Sequence, residues 1–384
     1  MIATATEPVP TLDDLVCRLM CGVSSAWPVS FAAELQSQFL QYTDRHGVQA
    51  LLCAQLRSSD AWGGWPSDLR QALSDGAASQ AVVEMIQRQE TVKVLEALSQ
   101  GGVRPLLMKG VPLAYTHYRF PHLRPRGDTD MLIRRADRDA ASGVLTESGY
   151  EQLNTMRGEL VSYQSSWTKR DRHGVAHAID LHWRVSNCQI FAEALSYDEL
   201  VSGSVPIHVL GARALGPVHA LLLACMHRVG HVTASWSVND RRHYGDRLIW
   251  LYDIHLLARR ISSQELTEFV RLAVERRLKT ICLDGLRQSQ RGFATPLPDK
   301  VLGALSAAGP AEPSARYLDR GRLRFMVRDI RSLSTVYDRL RLAREHLFPP
   351  AGYMLNKYAV SRRAWLPFLY LRRAVLGISR LHGE

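Results

Sequence analysis

The run Arg124-Pro125-Arg126-Gly127-Asp128-Thr129-Asp130-Met131-Leu132-Ile133 sets two carboxylates two residues apart at the head of an apolar segment. On a strand, Asp128 and Asp130 project from one face with their Cα atoms about 6.5 Å apart. Two such acids repel each other and are costly to bury. A divalent cation removes that cost, because hard Mg²⁺ takes carboxylate oxygens and substrate phosphates together. With two ions roughly 3.5–4 Å apart, the attacking and leaving oxygens of an in-line displacement are both held. The bland alternative is a solvated strand end carrying two surface acids.

Three neighbours weigh toward chemistry. Lys109-Gly110 closes the preceding apolar run, where a backbone without a side chain lets a phosphate approach and a lysine supplies positive charge. Asp180 lies in Ala178-Ile179-Asp180-Leu181-His182-Trp183-Arg184, whose alternation puts Asp180, His182 and Arg184 on one face and Ile179, Leu181 and Trp183 on the other. Arg124 and Arg126 flank the acid pair and suit bidentate contacts to phosphate oxygens, or else are solvated loop arginines. The set matches the needs of a metal-dependent phosphoryl or nucleotidyl transferase. His227 and His231, four apart on a predicted helix, share a face but lack a clear third ligand, so packing against the α/β unit competes with a substrate or metal role. Trp183, Trp250 and Trp365 fall at apolar positions that predict core. Asp253, a lone acid in an amphipathic helix, calls for a partner such as Arg247 or a histidine.

The elements that must position these groups follow from periodicity. Helical spacing covers Leu12–Met20, Phe31–Leu56 and Asp68–Leu98, with Trp62-Gly63-Gly64-Trp65-Pro66 as punctuation and Gly101-Gly102 as the stop. Then come a short strand at Pro105–Met108, a helix at Val111–Tyr118, a strand at Thr129–Ile133, a helix capped by Asp137 and ending at Gly149, and a hairpin of Leu160–Thr168 with Ala176–Val185. Helical periodicity returns at Val218–Val232, Asp246–Ile261 and Ser263–Gln290, and again after Pro313. The expected class is α+β: a small mixed-sheet core over residues 101–212, an N-terminal helical region over 1–100 and a basic C-terminal helical domain over 213–384.

Leu107-Met108-Lys109-Gly110, Tyr115 and Tyr118, Arg124-Pro125, Gly127-Asp128-Thr129-Asp130, Ser148-Gly149-Tyr150 and Asp180-Leu181-His182-Trp183 resemble the uncharacterised bacterial nucleotidyltransferase family related to the DNA polymerase β superfamily. The similarity runs from about residue 90 through Leu221–His231 and Arg247–Ile254 to Phe348-Pro349-Pro350. The resemblance implies a nucleotidyltransferase fold with Asp128, Asp130 and Asp180 as catalytic metal ligands, Asp180 doubling as base toward an acceptor hydroxyl. It further implies Mg²⁺, with Mn²⁺ as the alternative, and a nucleoside triphosphate such as ATP contacted by Lys109, Gly110, Arg124, Arg126 and His182. The NMP group would pass to a hydroxyl or phosphate of an unknown acceptor, a peptide, small molecule or RNA, in a peptide natural-product or polysaccharide pathway. One departure stands out: Lys109-Gly110-Val111-Pro112 replaces Gly-Ser or Gly-Gly, so Lys109 takes the phosphate contact as a point charge. A catalytically degenerate nucleotide- or peptide-binding protein and an RNA-directed enzyme remain the alternative readings.

Composition frames this reading. The 384 residues are 46% hydrophobic and 22% charged, which excludes disorder, collagen and disulfide scaffolds. Six scattered cysteines without a CxxC pair predict reduced thiols. The opening MIATATEPVPTLDD has no signal-peptide pattern and no apolar run reaches 18 residues, so a cytoplasmic protein without a membrane span is expected. The net charge of +11 is uneven: Arg316–Glu384 holds 15 Lys+Arg against 5 Asp+Glu, a net +10. Those helices either line a cleft that attracts an anionic substrate or present a solvated basic face.

Overall fold

The computed structural model describes residues 11–29, 31, 34–232, 236–238, 241–243, 245–307, 312–318 and 322–381. Four helices come first: α1 (Leu12–Met20), α2 (Glu34–His46), α3 (Gln49–Arg57) and α4 (Ser67–Gln100). The α1 start is set by a capping box in which Thr11 accepts from the Asp14 N–H and Asp14 from the Thr11 N–H. The continuous helix expected through residue 47 is broken there. Gly47 turns the chain at φ +69°, a conformation that costs an L side chain and suits glycine.

The α/β unit contains β1 (Leu106–Leu107), α5 (Gly110–Thr116), β2 (Thr129–Leu132), α6 (Arg138–Glu147), β3 (Glu151–Gln152), β4 (Gln164–Arg170) and β5 (Ala176–His182). Two short helices, α7 (Gln189–Ala192) and α8 (Tyr197–Ser202), lead to β6 (Val205–Ile207) and β7 (Ala212–Ala214). The seven strands form one mixed sheet in the order β3-β4-β5-β2-β1-β7-β6. Here β2 pairs in parallel with β5 and antiparallel with β1, while β4 and β5 form the expected hairpin. Asp137 occupies the N-cap of α6 without a side-chain cap bond, and Gly149 follows that helix at φ +82°.

The remaining elements are α9 (Pro217–Val232), a small ribbon of β8 (Trp236–Val238) and β9 (Arg241–His243), α10 (Leu248–Arg260), α11 (Ser263–Glu275), α12 (Lys279–Phe293), α13 (Asp299–Ser306), α14 (Arg322–Ser332), α15 (Val336–Leu347), α16 (Ala351–Lys357) and α17 (Leu366–Leu381). A single helix from Ser263 to Gln290 does not form: Arg277 at φ +58° separates α11 from α12. The α+β class with helical flanks is as the sequence predicted.

Strand alternation sorts the sheet into two faces. Leu107, Met131, Ile133, Ile179, Leu181 and Trp167 bury one face against Val94, Leu95 and Leu98 of α4 and Ala141 and Leu145 of α6. Leu106, Met108 and Leu132 point the other way, into a core shared with α9, α10 and α12 and with α1 and α3. The acids of the sequence motifs sit on this second side. Five cysteines are buried and Cys21 is exposed, all with free thiols. Of the tryptophans expected in the core, Trp250 is buried, Trp183 is half-buried beneath the Arg138 guanidinium, and Trp365 is 52% exposed. The last is a correction, because the 3-10 turn Arg363–Trp365 that leads into α17 leaves that position outward.

Among the described residues no helix is long and apolar enough to cross a membrane.

Candidate functional site

The parallel pairing of β2 with β5 makes Asp130 and Asp180 register partners and sets Leu132 beside His182. The bond from the Met108 N–H to the Asp130 carbonyl, 3.0 Å, ties β1 alongside, which brings Lys109 to the same place. Ligand atoms of Asp130, Asp180 and His182 all lie within 4.8 Å of one another, a convergence able to hold a metal ion. Asp130 and His182 are buried and Asp180 is half-buried, so the group opens outward through Asp180.

Asp130 is the hub. Its Oδ1 receives the Lys109 ammonium and lies 2.8 Å from His182 Nε2. Against the penalty of burial, Lys109 and His182 hold the Asp130 carboxyl well below the usual carboxylate range. Lys109 is in turn kept charged: burial pushes its ammonium down, but Asp130 and Asp128 more than offset this and raise it. Its backbone adopts φ 56°, ψ −124°, a region L residues rarely enter, which the surrounding structure must enforce. The ammonium thus stands on the carboxylate oxygen where a cation would bind.

Asp128 stands beside this group rather than inside it, because β2 begins only at Thr129. Its side chain is open to solvent, and neighbouring charge, Asp130 before all else, pushes its carboxyl up to about 7. Asp180 accepts a 2.6 Å bond from Gln164 Nε2, and Gln164 is oriented by Asn187, whose Nδ2 donates to Gln164 Oε1 at 2.8 Å. Sequence reading missed both amides. The available signal was the alternation of Gln164 and Ser166 on β4, which register opposite His182 and Asp180.

Both arginines flanking the acid pair are withdrawn from solvent. Arg124 grips Asp253 through Nη2 to Oδ2 (2.7 Å) and Nε to Oδ1 (3.3 Å), while the Tyr118 hydroxyl donates to the same Oδ1 at 2.8 Å. The partner of Asp253 is therefore Arg124, not Arg247 or a histidine. Gly110 is buried beneath this guanidinium; a Cβ there would lie 2.7 Å from Arg124 Nη1, so the missing side chain makes room for the arginine. Arg126 lies 3.5 Å from Glu84 and donates from Nε to Gln87 Oε1 at 3.3 Å, both on α4. Its Nη1 and Nη2 are buried with no hydrogen-bond partner among the described residues, as is His182 Nδ1.

Two cavities lie near the motifs, neither lined by Asp130, Asp180 or His182. One, largely apolar, is lined by Lys109, Pro112, Leu113, Leu223, His227 and Trp250. The other is lined by Gln87, Thr91, Arg126, Asp128, Tyr150 and His177. His227 and His231 are half-buried against each other and Trp250, with ring centroids 4.4–5.4 Å apart. Burial, aided by His231 and Lys109, pushes His227 well below the usual histidine range; burial and Lys109 push His231 down to about 4. Neither joins a three-residue ligand group among the described residues. The basic C-terminal helices line neither cavity: Arg362, Arg363 and Arg372 are exposed elsewhere.

A family model described as an uncharacterised nucleotidyltransferase matches residues 33–294. The match begins earlier than the motifs near residue 107 and stops short of Phe348-Pro349-Pro350. No curated protein matches the chain.

Proposed function

The chain belongs to the uncharacterised nucleotidyltransferase family, and we propose that it transfers an NMP group from a nucleoside triphosphate to an acceptor hydroxyl or phosphate at the Asp130 centre. The observation that carries this reading is the convergence of Asp130, Asp180 and His182 ligand atoms within 4.8 Å on the sheet face turned toward α9 and α10. The donor set fits a divalent ion, and its imidazole suits Mn²⁺ better than Mg²⁺, which favours an all-oxygen shell. When bound, that ion supplies Lewis-acid polarisation of the phosphoryl group and charge neutralisation.

The protein's own groups take the following roles in this reading. Asp130, Asp180 and His182 hold the ion, with Asp128 at the mouth as a further ligand. Asp180, the acid most open to solvent of the converging three, receives the acceptor proton. Lys109, whose ammonium stands on Asp130 Oδ1, supplies positive charge for the phosphates, and Arg126, held by Glu84 and Gln87 on the opposite, α4 face of the sheet, orders the loop before Asp128. Arg124, engaged by Asp253 and by the Pro125 carbonyl, acts by fixing the loop before Asp128, and Gly110 by admitting Arg124. Residues 101–212 form the catalytic unit. The acceptor is a peptide, small molecule or RNA, and the setting we favour is a peptide natural-product or polysaccharide pathway inside the cytoplasm.

The test is pyrophosphate release with each of the four NTPs and Mg²⁺ or Mn²⁺, with mass detection of labelled acceptors. Release that depends on metal and is abolished in Asp130→Asn supports transfer. Release equal in both proteins would sink it. One observation favours a second reading, a nucleotide- or peptide-binding protein without turnover: the Lys109 ammonium stands on the Asp130 carboxylate and neutralises it. Metal-independent nucleotide binding without any adduct on acceptor or protein would select it.

A further inference from the structure

Nine of the seventeen large apolar side chains left exposed among the described residues fall between Val336 and Val375. Four of them, Trp365, Phe368, Leu371 and Val375, are 52%, 53%, 63% and 57% exposed at spacings of three, three and four, and so form one stripe. The stripe is turned outward by construction. On the inner side of α17, Leu369 is buried, the Tyr370 hydroxyl donates to the Pro349 carbonyl at 2.6 Å, and Arg373 Nη2 donates to the His346 carbonyl at 3.2 Å. The helices beneath are fastened to the sheet domain: Glu345 of α15 accepts from the backbone N–H groups of Glu159, Leu160 and Val161 at 2.9–3.0 Å. Exposed Arg362, Arg363 and Arg372 border the stripe, within the segment that carries nearly all of the chain's net charge.

We propose that this face docks on an anionic lipid surface. The α17 helix lies in the interface plane, with Trp365, Phe368, Leu371 and Val375 at the acyl boundary and Arg362, Arg363 and Arg372 on headgroup phosphates. Charge decides among the occupants. A second copy would bring two segments of net +10 face to face. RNA would match the charge but leaves the aliphatic Leu371 and Val375 without bases to stack on. An anionic bilayer satisfies both the arginines and the aliphatic stripe. The proposal does not depend on the reaction assigned to the Asp130 centre.

The full chain is to be tested by flotation with vesicles of phosphatidylcholine alone and of phosphatidylcholine mixed with phosphatidylglycerol, at low and high salt. Partition onto the anionic vesicles, falling with salt, is expected, with little on the neutral ones. Trp365→Ser/Phe368→Ser/Leu371→Ser, all at exposed positions, should keep its thermal transition and lose about tenfold or more in partition. Arg362→Glu/Arg363→Glu should weaken partition as well. The proposal is overturned if anionic vesicles are not bound, if the triple serine variant binds them equally, if sedimentation shows a dimer that the same variant dissolves, or if an RNA oligomer is bound through the stripe in preference to vesicles.

Discussion

Asp130 and Asp180 are direct register partners across the parallel β2–β5 pair, and Lys109 from the neighbouring strand end places its ammonium on Asp130. Two carboxylates facing each other in a sheet interior repel, so the site carries its own counter-cation. The Lys109 ammonium offsets that repulsion on the Asp130 side of the pair.

Lys109→Met therefore separates two roles. With the ammonium gone, three neighbouring carboxylates lose their internal cation, and Mn²⁺ affinity should rise by about tenfold. Nucleotide affinity should fall at the same time, since a phosphate contact is lost. Calorimetry with Mn²⁺ alone and then with ATP reads both. A variant that binds Mn²⁺ more weakly than wild type would contradict the placement of Lys109 on Asp130.

Arg124→Ala should destabilise the fold by about 3–5 kcal/mol, because it leaves the Asp253 carboxylate buried and unpaired. Arg124→Lys should rescue little, as a point charge cannot reproduce the two-pronged contact. Arg124→Met with Asp253→Leu should recover much of the loss by removing both charges together. Urea denaturation measures each. Wild-type stability in Arg124→Ala would show the pair to be dispensable.

His255 provides a pH dependence of known sign. It is 4% exposed, bonds Thr295 Oγ1 at 2.9 Å, and burial, with Arg259 adding to it, pushes its imidazole down to about 4. The unfolded chain takes up a proton near pH 6.5 that the folded chain refuses until about pH 4, so stability is full above the first value and declines below it. Asp329, pushed up to about 6 by burial, works in the opposite direction, so the comparison must be made site by site. Relative to His255→Gln, the wild type should lose about 2 kcal/mol between pH 7 and pH 5. A constant difference between the two proteins, read from denaturation midpoints, would show that His255 titrates normally.

Much of this was legible in the sequence. Alternation alone put Asp180 and His182 on one face of β5, and the apolar run after Asp128 gave β2, because period-two patterning survives whatever the strands pack against. Family membership was visible in the motifs between Lys109 and Trp183. What escaped were relations that need the fold. Asp253 meets Arg124 across 129 residues, and Gln164 reaches Asp180 only because a hairpin sets β4 beside β5. The breaks at Gly47 and Arg277 interrupt runs whose hydrophobic period does not falter, and the outward placement of Trp365 depends on the turn that leads into α17. Asp128, paired with Asp130 in the motif, ends up one residue outside the strand, which separates it from the converging ligands.

A divalent-metal centre at Asp130, Asp180 and His182 is the premise of the proposed reaction. It is tested most directly by titrating Mn²⁺ into wild type, Asp130→Asn and Asp180→Asn while following the free-ion signal by electron paramagnetic resonance. Saturable binding is expected of wild type, with at least about tenfold weaker binding by either variant, since each removes one charged ligand from the shell. Equal Mn²⁺ binding by all three proteins would contradict it.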